Sequence, residues 1–491
     1  MNRRWTVLLA SVGVASCAPT FAADRCEVAA LIAAAERAQG GPIRTLQLSG
    51  AGLDFVVGQG VHPKGPWPKF NVERYERSMD FEAGASSLLT VRSQALNPPR
   101  GGARQPLERG EQVTAIAAGS PRAPAMRREL ALFMPAGFIA AANRSKEVSA
   151  RRFGGGCALT VAVEEGAPIT AEVAPDGQIR RLTSLMPDDV LGDAPVETRF
   201  SGKTKVGERS LPGRIVQKVG GYPILDLRIT QASPAAPVSI ASDVTPPLLD
   251  WMAPPRMPSE QLGDGIFVMP ARYSALAVDL GDYIVLIEAP QSEARAKEVI
   301  AEAHRLIPGK PIRYVVNTHA HFDHTAGLRS AVADGATIIT HRSNVPFLSD
   351  VLNRPRTLRP DALSRAPKPI EFLPVDDRFE LKGGGREIQF FTLKGVDHVD
   401  GMLVVYLPQV KALVEADVFT PPGKKRDTTP DPINPYHVQF LDNLERLDLD
   451  IERLISIHYA ADGRRVGMDE LRLAAGRLAT QPGDPHAERR P

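Results

Sequence analysis

The sequence predicts an α+β protein in which a mostly antiparallel β domain precedes a domain of layered helices and sheets. Three features of the 491 residues indicate this: short alternating apolar runs before residue 232, a Pro-rich stretch at 233–259, and amphipathic helical stretches between apolar strands beyond it. So long a chain is expected to form more than one domain. We therefore expect a β-rich accessory domain over 23–232, a linker over 233–259, a layered domain over 260–480 and a polar tail over 481–491.

The charge composition excludes some classes of partner. The chain has 59 Lys and Arg residues against 57 Asp and Glu residues, a formal net charge of +2. So small a charge on so long a chain gives no basic field that would hold nucleic acid or an anionic membrane. We expect a small-molecule substrate and no nucleic-acid partner.

Residues 1–22 have the pattern of a signal peptide. Arg3 and Arg4 give a cationic start, residues 5–15 form an apolar run of eleven, and residues 20–22 end in a small side chain suited to signal peptidase. Eleven apolar residues cover about half of a bilayer core, and no later stretch approaches the roughly 20 that a spanning helix needs. The sequence predicts export by a bacterial cell, to the periplasm or the medium, without a transmembrane span.

The three cysteines leave two questions open, the fate of Cys17 and the pairing of Cys26 with Cys157. Residues 14–17 also resemble a bacterial lipobox, in which Cys17 would be acylated as a lipid anchor; the alternative is cleavage after Ala22, which removes it. Cys26 and Cys157 remain in either case. In an oxidising periplasm this pair is expected to form a disulfide, and the alternative is two separate buried thiols.

The first half is predicted to contain one helix followed by strands and hairpins. The helix covers residues 27–38. Alternating runs and turn residues predict strands at 43–48, 75–81, 171–173, 179–182, 214–219 and 224–229. The one histidine of this half, His62, stands in a Pro/Gly-rich loop and is predicted to be a surface residue. No catalytic group is expected here.

The second half alternates strands and helices. Seven prolines between residues 233 and 259 exclude a continuous helix or central strand there, which predicts the linker. Beyond it, strands are predicted at 275–280, 283–287, 312–317, 336–340, 387–393, 402–407 and 411–416, and helices at 292–306, 325–332, 438–447 and 468–478. Helices between strands imply that the helices lie outside the sheets.

A dense histidine motif predicts a metal centre. His319, His321, Asp323 and His324 stand within six residues, after a predicted strand that ends at Asn317. Imidazole nitrogens and carboxylate oxygens are ligands that zinc prefers, and ligands one residue apart on an extended loop can converge. A helix is predicted directly after the motif, so the loop would be held between two rigid elements.

Residues 317–327, Asn-Thr-His-Ala-His-Phe-Asp-His-Thr-Ala-Gly, resemble the signature of the metallo-β-lactamase-fold hydrolase superfamily. The resemblance extends over roughly residues 265–477 and implies an αββα sandwich. It also implies further ligands at later strand ends, for which this sequence offers His398, Asp417 and His458. Two divalent cations, with zinc the first candidate, would be held by two groups: His319, His321 and His398 for one, Asp323, His324 and His458 for the other, with Asp417 between them.

The same resemblance implies a hydrolytic mechanism. A water shared by two cations loses a proton near neutral pH and attacks a carbonyl group, and Asp323 would orient this metal-bridging hydroxide. Two positions depart from the family, because Ala416 and Ile457 replace the glycines that usually precede the bridging aspartate and the final histidine. For Asp417 and His458 the alternatives are an ordinary turn carboxylate and a core histidine with satisfied hydrogen bonds.

Four other histidines of this half stand outside the ligand set. His304 on an outer helix, His437 in a loop and His486 in the tail are not expected to be ligands, although His437 could line the pocket. His341 ends a predicted strand and is expected either to bond locally or to line the pocket.

The candidate substrates follow from the bridging carboxylate. Asp417 makes the site similar to the branch that resembles glyoxalase II and lactonases, which implies hydrolysis of an ester, thioester, lactone or amide carbonyl. The loop over 420–436 carries Lys424, Lys425 and Arg426, which would clamp a carboxylate or phosphate or else form a solvated charge run.

Two alternative functions remain. The first is β-lactamase activity at the same site. The second is a carrier for an apolar ligand in the first half, which is faintly similar to periplasmic lipoprotein-carrier domains, with the metal domain secondary. A large apolar cavity in the first half would support the carrier, and a solid packed core would exclude it.

Overall fold

The computed structural model describes residues 26–102, 109–234, 238–244, 257–460 and 462–478. The predicted signal peptide, the lipobox with Cys17 and the polar tail with His486 lie outside these residues, as does much of the predicted linker. Within the described chain, no helix is long and apolar enough to cross a membrane.

The first domain is built on one antiparallel sheet. Its strands, in chain order, are β1 (Thr45–Phe55), β2 (Lys69–Asp80), β3 (Ala85–Gln94), β4 (Arg109–Ile116), β5 (Val148–Phe153), β6 (Gly156–Val161), β7 (Ile169–Val173), β8 (Ile179–Asp188), β9 (Gly192–Ser201), β10 (Thr204–Val206), β11 (Arg209–Leu211), β12 (Arg214–Val219) and β13 (Tyr222–Pro234). Over the described residues, eleven of them form a sheet in the order β4-β3-β2-β1-β13-β12-β9-β8-β7-β6-β5, and β10 pairs with β11 separately. Strand β1 pairs with both β2 and β13, so the first and last strands of the domain are neighbours in the sheet.

Helices cover one face of this sheet. They are α1 (Val28–Ala38), α2 (Ala123–Phe133) and α3 (Pro135–Arg144). The sequence predicts α1 but not α2 or α3, and this omission is an error of the prediction. Pro124 and Pro135 resemble helix breakers, yet each stands in the first turn of a helix, where a missing N–H group has no helical partner to lose.

The helices fill the first domain with a packed core. Leu130, Phe133, Met134 and Phe138 are at most 1% exposed and belong to the same hydrophobic cluster as Met79 of β2. Burial of each such side chain contributes about 1.5–3 kcal/mol. A solid packed core is the result that we expected to exclude a carrier function.

The cavity found in the described part of the first domain differs from the large apolar one that a carrier requires. A cavity of about 190 Å³ lies at the end of α1, and its lining includes the polar side chains of Gln39, Arg180 and Lys203. Its size is below the usual range for ligand pockets, and its lining mixes these polar groups with apolar side chains such as Met134 and Phe200. The structure therefore argues against the carrier function.

Two further features tie the first domain together. Cys26 forms the predicted disulfide with Cys157 of β6, across 131 residues of sequence. The strand β13 runs two residues into the predicted linker, and Val244 later pairs with Ala115 through two N–H···O bonds of 2.8 Å. The start of the linker and Val244 are therefore bonded to the first domain, whereas Ser259 at its end donates to Glu302 of the second domain.

The second domain contains two sheets. The described strands of the first sheet are β14 (Glu260–Gly263), β15 (Ile266–Met269), β16 (Ala275–Asp279), β17 (Ile284–Ile287), β18 (Ile312–Val316), β19 (Thr337–His341) and β20 (Phe372–Val375), in that order. Those of the second are β21 (Arg378–Gly383), β22 (Arg386–Thr392), β23 (Leu403–Leu407), β24 (Ala412–Glu415) and β25 (Arg453–Ser456). Strands β17 to β20 are parallel, as are β24 and β25, and the other neighbours are antiparallel.

Helices lie outside both sheets, which gives the predicted αββα arrangement. They are α4 (Glu293–Leu306), α5 (Phe322–Thr325), α6 (Leu328–Asp334), α7 (Val345–Leu352), α8 (Ala362–Arg365), α9 (Pro435–Leu447) and α10 (Met468–Ala474), with 3₁₀ turns at Arg342–Asn344 and Pro408–Val410. Val285 and Phe390 represent the apolar layer between the sheets. Val299 of α4 and Phe440 of α9 pack on the outer faces. Strands buried on both faces explain the continuous apolar runs of the sequence.

The two domains are in direct contact. One hydrophobic cluster contains buried residues of both. Arg356 of the second domain donates to the carbonyl oxygens of Asp189 and Val190, at 3.0 and 3.3 Å, and also to Asp361 Oδ2 at 3.0 Å. Asp361 is paired in addition with Arg329. A buried ion network therefore lies at this junction.

Candidate metal centre

Each predicted site residue lies just beyond a strand of the second domain. His319 and His321 follow β18, and Asp323 and His324 lie in the short helix α5 that comes next. His398 stands in the loop between β22 and β23, Asp417 two residues after β24, and His458 two residues after β25. Strand ends fix the backbone positions of these loops, so side chains distant in sequence meet at one edge of the sandwich.

The structure brings all seven residues together in two groups that share one carboxylate. His319, His321, His398 and Asp417 form one group, and Asp323, His324, Asp417 and His458 form the other. In each group, one potential ligand atom per residue lies within 4.8 Å of all the others. This is the pairing that the family resemblance implied.

Asp417 faces both groups with different oxygens. Its Oδ2 lies 3.5 Å from His319 Nε2 and 3.2 Å from His398 Nε2. Its Oδ1 lies 3.0 Å from His324 Nε2 and 2.6 Å from His458 Nε2. A carboxylate placed in this way can bridge two cations.

The chemistry of the first group fits a cation. His319 Nε2, His321 Nδ1 and His398 Nε2 are buried and, although Asp417 Oδ2 lies 3.5, 3.8 and 3.2 Å away, none makes a well-directed hydrogen bond within the described chain. The opposite nitrogen of His319 lies 3.1 Å from Thr318 Oγ1, and that of His321 lies 3.0 Å from the carbonyl oxygen of Gly60. A carbonyl accepts only, so His321 carries its proton on Nε2 and directs the Nδ1 lone pair inward.

Burial and charge shift the pKa values of the site in opposite directions. Burial lowers the pKa of His319 well below its ordinary value and also lowers that of His398. Burial acts in the same direction on His324, but the carboxylates of Asp417 and Glu288 outweigh it and raise the pKa of this histidine. A pocket whose carboxylates favour positive charge this strongly also suits a divalent cation.

Several supporting residues are absent from the sequence prediction. Glu288 is fully buried, accepts from the Thr318 amide at 2.8 Å and lies 3.2 Å from His324 Nδ1. Tyr273 donates its hydroxyl to Asp323 Oδ2 at 3.1 Å. Glu288 directly follows the apolar strand β17, and an acidic residue in that position is a signal that the sequence does contain. Tyr273 has no comparable local signal.

The two departures from the family pattern are accommodated by the core between the sheets. Ala416 and Ile457 are both fully buried in that layer. Asp417 itself adopts a left-handed conformation with φ of 67°, which aspartate tolerates better than most residues. A glycine is therefore not required beside either predicted ligand.

The other histidines lie outside both groups. His341 Nδ1 bonds locally to Ser343 Oγ at 2.7 Å, and His304 pairs with Asp334 at 3.1 Å. His437 packs edge-on against the ring of Phe419. The basic side chains at 424–426 are exposed, in agreement with a solvated charge run.

The first domain also reaches this centre, which the sequence does not predict. Gln59 Nε2 donates to Asp323 Oδ1 at 2.8 Å, and Gly60 supplies the carbonyl beside His321. His62 is exposed as predicted, but its ring pairs with Asp400 Oδ2 at 2.7 Å. The first half therefore contacts the site through groups that the sequence does not mark, although none of them is a catalytic group.

Part of the chain matches a known protein family. Residues 271–458 match the family model of the metallo-beta-lactamase superfamily, which confirms the resemblance seen at residues 317–327. A search of curated proteins finds no match.

Solved structures that are similar to the chain include three metallo-beta-lactamases. The protein from Pontibacter korlensis is 15% identical, with 46% of this chain and 99% of that chain covered and a TM-score of 0.34. DIM-1 metallo-beta-lactamase is 18% identical, with coverage of 45% and 97% and a TM-score of 0.34. The protein from Hirschia baltica is 18% identical, with coverage of 45% and 98% and a TM-score of 0.33.

Proposed function

We propose that this protein, a metal-dependent hydrolase whose C-terminal domain belongs to the metallo-beta-lactamase superfamily, binds two divalent cations and hydrolyses an ester, thioester, lactone or amide carbonyl. The observation that carries the proposal is the pair of ligand groups that share Asp417. Zinc is the first candidate, because three imidazole nitrogens and carboxylate oxygens are a typical zinc ligand set.

The ligand assignment follows the two groups. His319, His321 and His398 would hold one cation, Asp323, His324 and His458 the other, and Asp417 both. When bound, the cations supply an ionised water near neutral pH and polarise the carbonyl group that it attacks.

Asp323 is the proposed catalytic carboxylate. Its side chain is 21% exposed, more than any other member of the two groups, so solvent can reach it. Gln59 holds one oxygen and Tyr273 the other. Burial raises the pKa of Tyr273, so this hydroxyl stays protonated and remains a donor. Held in this way, the carboxylate can orient a water and take its proton.

We propose export to the periplasm or the medium as the location, with the lipoprotein as the alternative. The disulfide between Cys26 and Cys157 supports an oxidising compartment. Mass spectrometry of protein from the native host distinguishes a chain that begins after Ala22 from one acylated at Cys17.

Metal analysis followed by a substrate panel tests the function. We expect about two equivalents of divalent metal per chain, activity on at least one lactone, thioester, ester or amide, loss of that activity on chelation, and its return with zinc. A chromogenic cephalosporin in the same panel tests the β-lactamase alternative. Protein that binds no divalent metal, or activity that survives full chelation, would contradict the proposal.

A further inference from the structure

Two loops of the first domain lie against the metal centre. They are the β1–β2 loop, at residues 58–62, and the segment after β3, at residues 100–102; together we call them the strap. The strap is bonded to the loop of His319 to His324, since the Gly58 carbonyl accepts from the Phe322 amide at 3.1 Å. Its two parts are joined by a 2.9 Å bond from the Gly102 amide to the Gln59 carbonyl.

The strap is also tied on both sides of His398. The Gly101 amide donates to the Asp397 carbonyl, and the Asp400 amide donates to the Val61 carbonyl, each at 2.8 Å. Side-chain contacts join His62 Nδ1 to Asp400 Oδ2 at 2.7 Å and Arg100 Nε to Asp397 Oδ1 at 3.2 Å. These contacts hold the strap over the loops of both ligand groups.

Glycines allow the strap to approach this closely. A Cβ on Gly58 would overlap the ring of Phe322, and one on Gly102 would overlap the Gln59 side chain and press on the His321 ring. Gly58 also has a φ of 79°, which L side chains rarely adopt. The close packing leaves His321 and His398 no more than 3% exposed.

The strap presents two polar groups to predicted ligands. The Gly60 carbonyl holds the proton of His321 on Nε2, as described above. The Gln59 amide donates to Asp323 Oδ1 and leaves Oδ2 directed at His324 and His458, whose Nε2 atoms lie 3.7 and 3.8 Å away. Together with the Tyr273 hydroxyl on Oδ2, this amide donor fixes which oxygen of the carboxylate faces the second ligand group.

We propose that Gln59 is a positioning residue of the metal centre and that the first domain, through Gln59 and the Gly60 carbonyl, completes the environment of its ligands. The inference rests on the proposed function in one respect, that Asp323 and His321 are metal ligands. Groups that orient ligands in this way typically change metal affinity by about 10- to 100-fold when they are removed.

Gln59→Met in the full-length protein is the test. Methionine has a similar length and shape but cannot donate a hydrogen bond. Zinc affinity is measured by competition with a chromophoric chelator, and cobalt-substituted protein is examined by visible absorption. We expect the more weakly bound equivalent to lose affinity by about 10- to 100-fold, with a changed cobalt spectrum. Gln231→Met, at an exposed position of β13, is the matched control and should match the wild type.

A second variant guards against a merely structural effect. Gln59→Ala removes the same amide donor without the bulk of methionine, so we expect it to lower zinc affinity and to change the cobalt spectrum as Gln59→Met does. A loss in Gln59→Met that is absent from Gln59→Ala would mark an effect of packing and would overturn the role of the amide. Far-UV circular dichroism of both variants reports misfolding directly.

The outcomes separate this inference from the function on which it rests. Wild-type protein that binds no cation overturns both. Wild-type protein that binds two cations, with unchanged affinities and cobalt spectrum in Gln59→Met, overturns the role of Gln59 alone. An affinity loss of the same size in Gln231→Met also overturns it.

Discussion

The two domains use buried space differently. In the first, the helices and the sheet bury mostly apolar side chains, and charged residues such as Arg181 pair with glutamates near the surface. In the second, seven ionisable residues meet in one place, where His319 and His324 are fully buried. Buried charge is unfavourable unless it is paired or coordinates a metal. The comparison teaches that the second domain concentrates the chemistry, whereas the first stabilises the molecule and orients one side of the site.

The largest expected effect is that of His321→Ala. This variant tests whether the metal site can be lost while the first domain stays folded. It removes one ligand of the second domain, so we expect activity to fall by more than about 100-fold, beyond the usual cost of losing a group that only orients a ligand. Metal content should fall as well, whereas far-UV circular dichroism should show the first domain folded.

His304→Ala is the control for this variant, because His304 lies on α4 and pairs with Asp334 outside both ligand groups. Turnover like that of the wild type in His321→Ala would contradict the ligand assignment. Loss of secondary structure throughout would show that the domains do not fold separately.

Asp361→Asn tests the ion network at the junction of the domains. It leaves the guanidinium groups of Arg329 and Arg356 buried without their carboxylate, so we expect the free energy of unfolding to fall by about 3–5 kcal/mol. Urea denaturation measures this change. Asp376→Asn, which breaks an exposed pair with Arg342, should cost at most about 1 kcal/mol. Equal losses in the two variants would contradict a special role for the junction.

The same carboxylate predicts a pH dependence. Burial raises the pKa of Asp361, but hydrogen bonds from Arg329 and Ser364 outweigh it and hold the pKa well below its ordinary value. The unfolded chain therefore binds more protons than the folded chain below about pH 4, and the stabilisation is lost as the pH falls through that range. In Asp361→Asn this part of the acid sensitivity should be absent.

Removing the disulfide should affect the first domain more than the site. With Cys26→Ser and Cys157→Ser combined, we expect a loss of about 2–4 kcal/mol in the free energy of unfolding, because the unfolded chain gains conformational freedom. Urea denaturation measures the loss, and mass spectrometry without reductant checks the bond in the wild type. Metal content that drops with the disulfide would show that the two domains are more tightly coupled than this comparison allows.

His437 gives the smallest expected effect and a test of acid sensitivity in the second domain. Burial lowers the pKa of His437 to about 4. Between pH 6.5 and 4 the unfolded chain therefore binds more protons than the folded chain, and the free energy of unfolding decreases as the pH is lowered. His437→Phe should remove up to roughly 3 kcal/mol of this pH dependence, since one pKa unit corresponds to about 1.4 kcal/mol. His304→Phe is the control, and identical stability curves for the wild type and His437→Phe would contradict the burial effect.

The motif from His319 to His324 was predictable because its signal is local and dense. His398, Asp417 and His458 were implied by the family resemblance, which directs attention to polar residues that follow apolar strands. Glu288 carries the same kind of signal, but one acidic residue after a strand is too common to interpret alone. Alternating local patterns predicted helices outside the sheets, and the family resemblance implied the αββα order of the layers.

The features that the sequence did not predict depend on long-range packing. Helices α2 and α3 begin with prolines that also suit turns. Only the packing of these segments on the apolar face of the sheet distinguishes a helix start from a turn. Gln59 and Gly60 are uncharged residues in a loop rich in Gly and Pro, and the groups that matter are an amide and a backbone carbonyl. Neither has a sequence pattern that marks it as part of a metal site.

Gln59 and Asp323 are 264 residues apart, and this separation limits how the protein can be rebuilt. If the second domain were fused to a different protein, or expressed without the first domain, Asp323 and His321 would contact solvent in place of Gln59 and the Gly60 carbonyl. Lineages that exchanged one half without the other would have had to re-evolve the missing contacts. The two halves should therefore be inherited, engineered and recombined as a single unit.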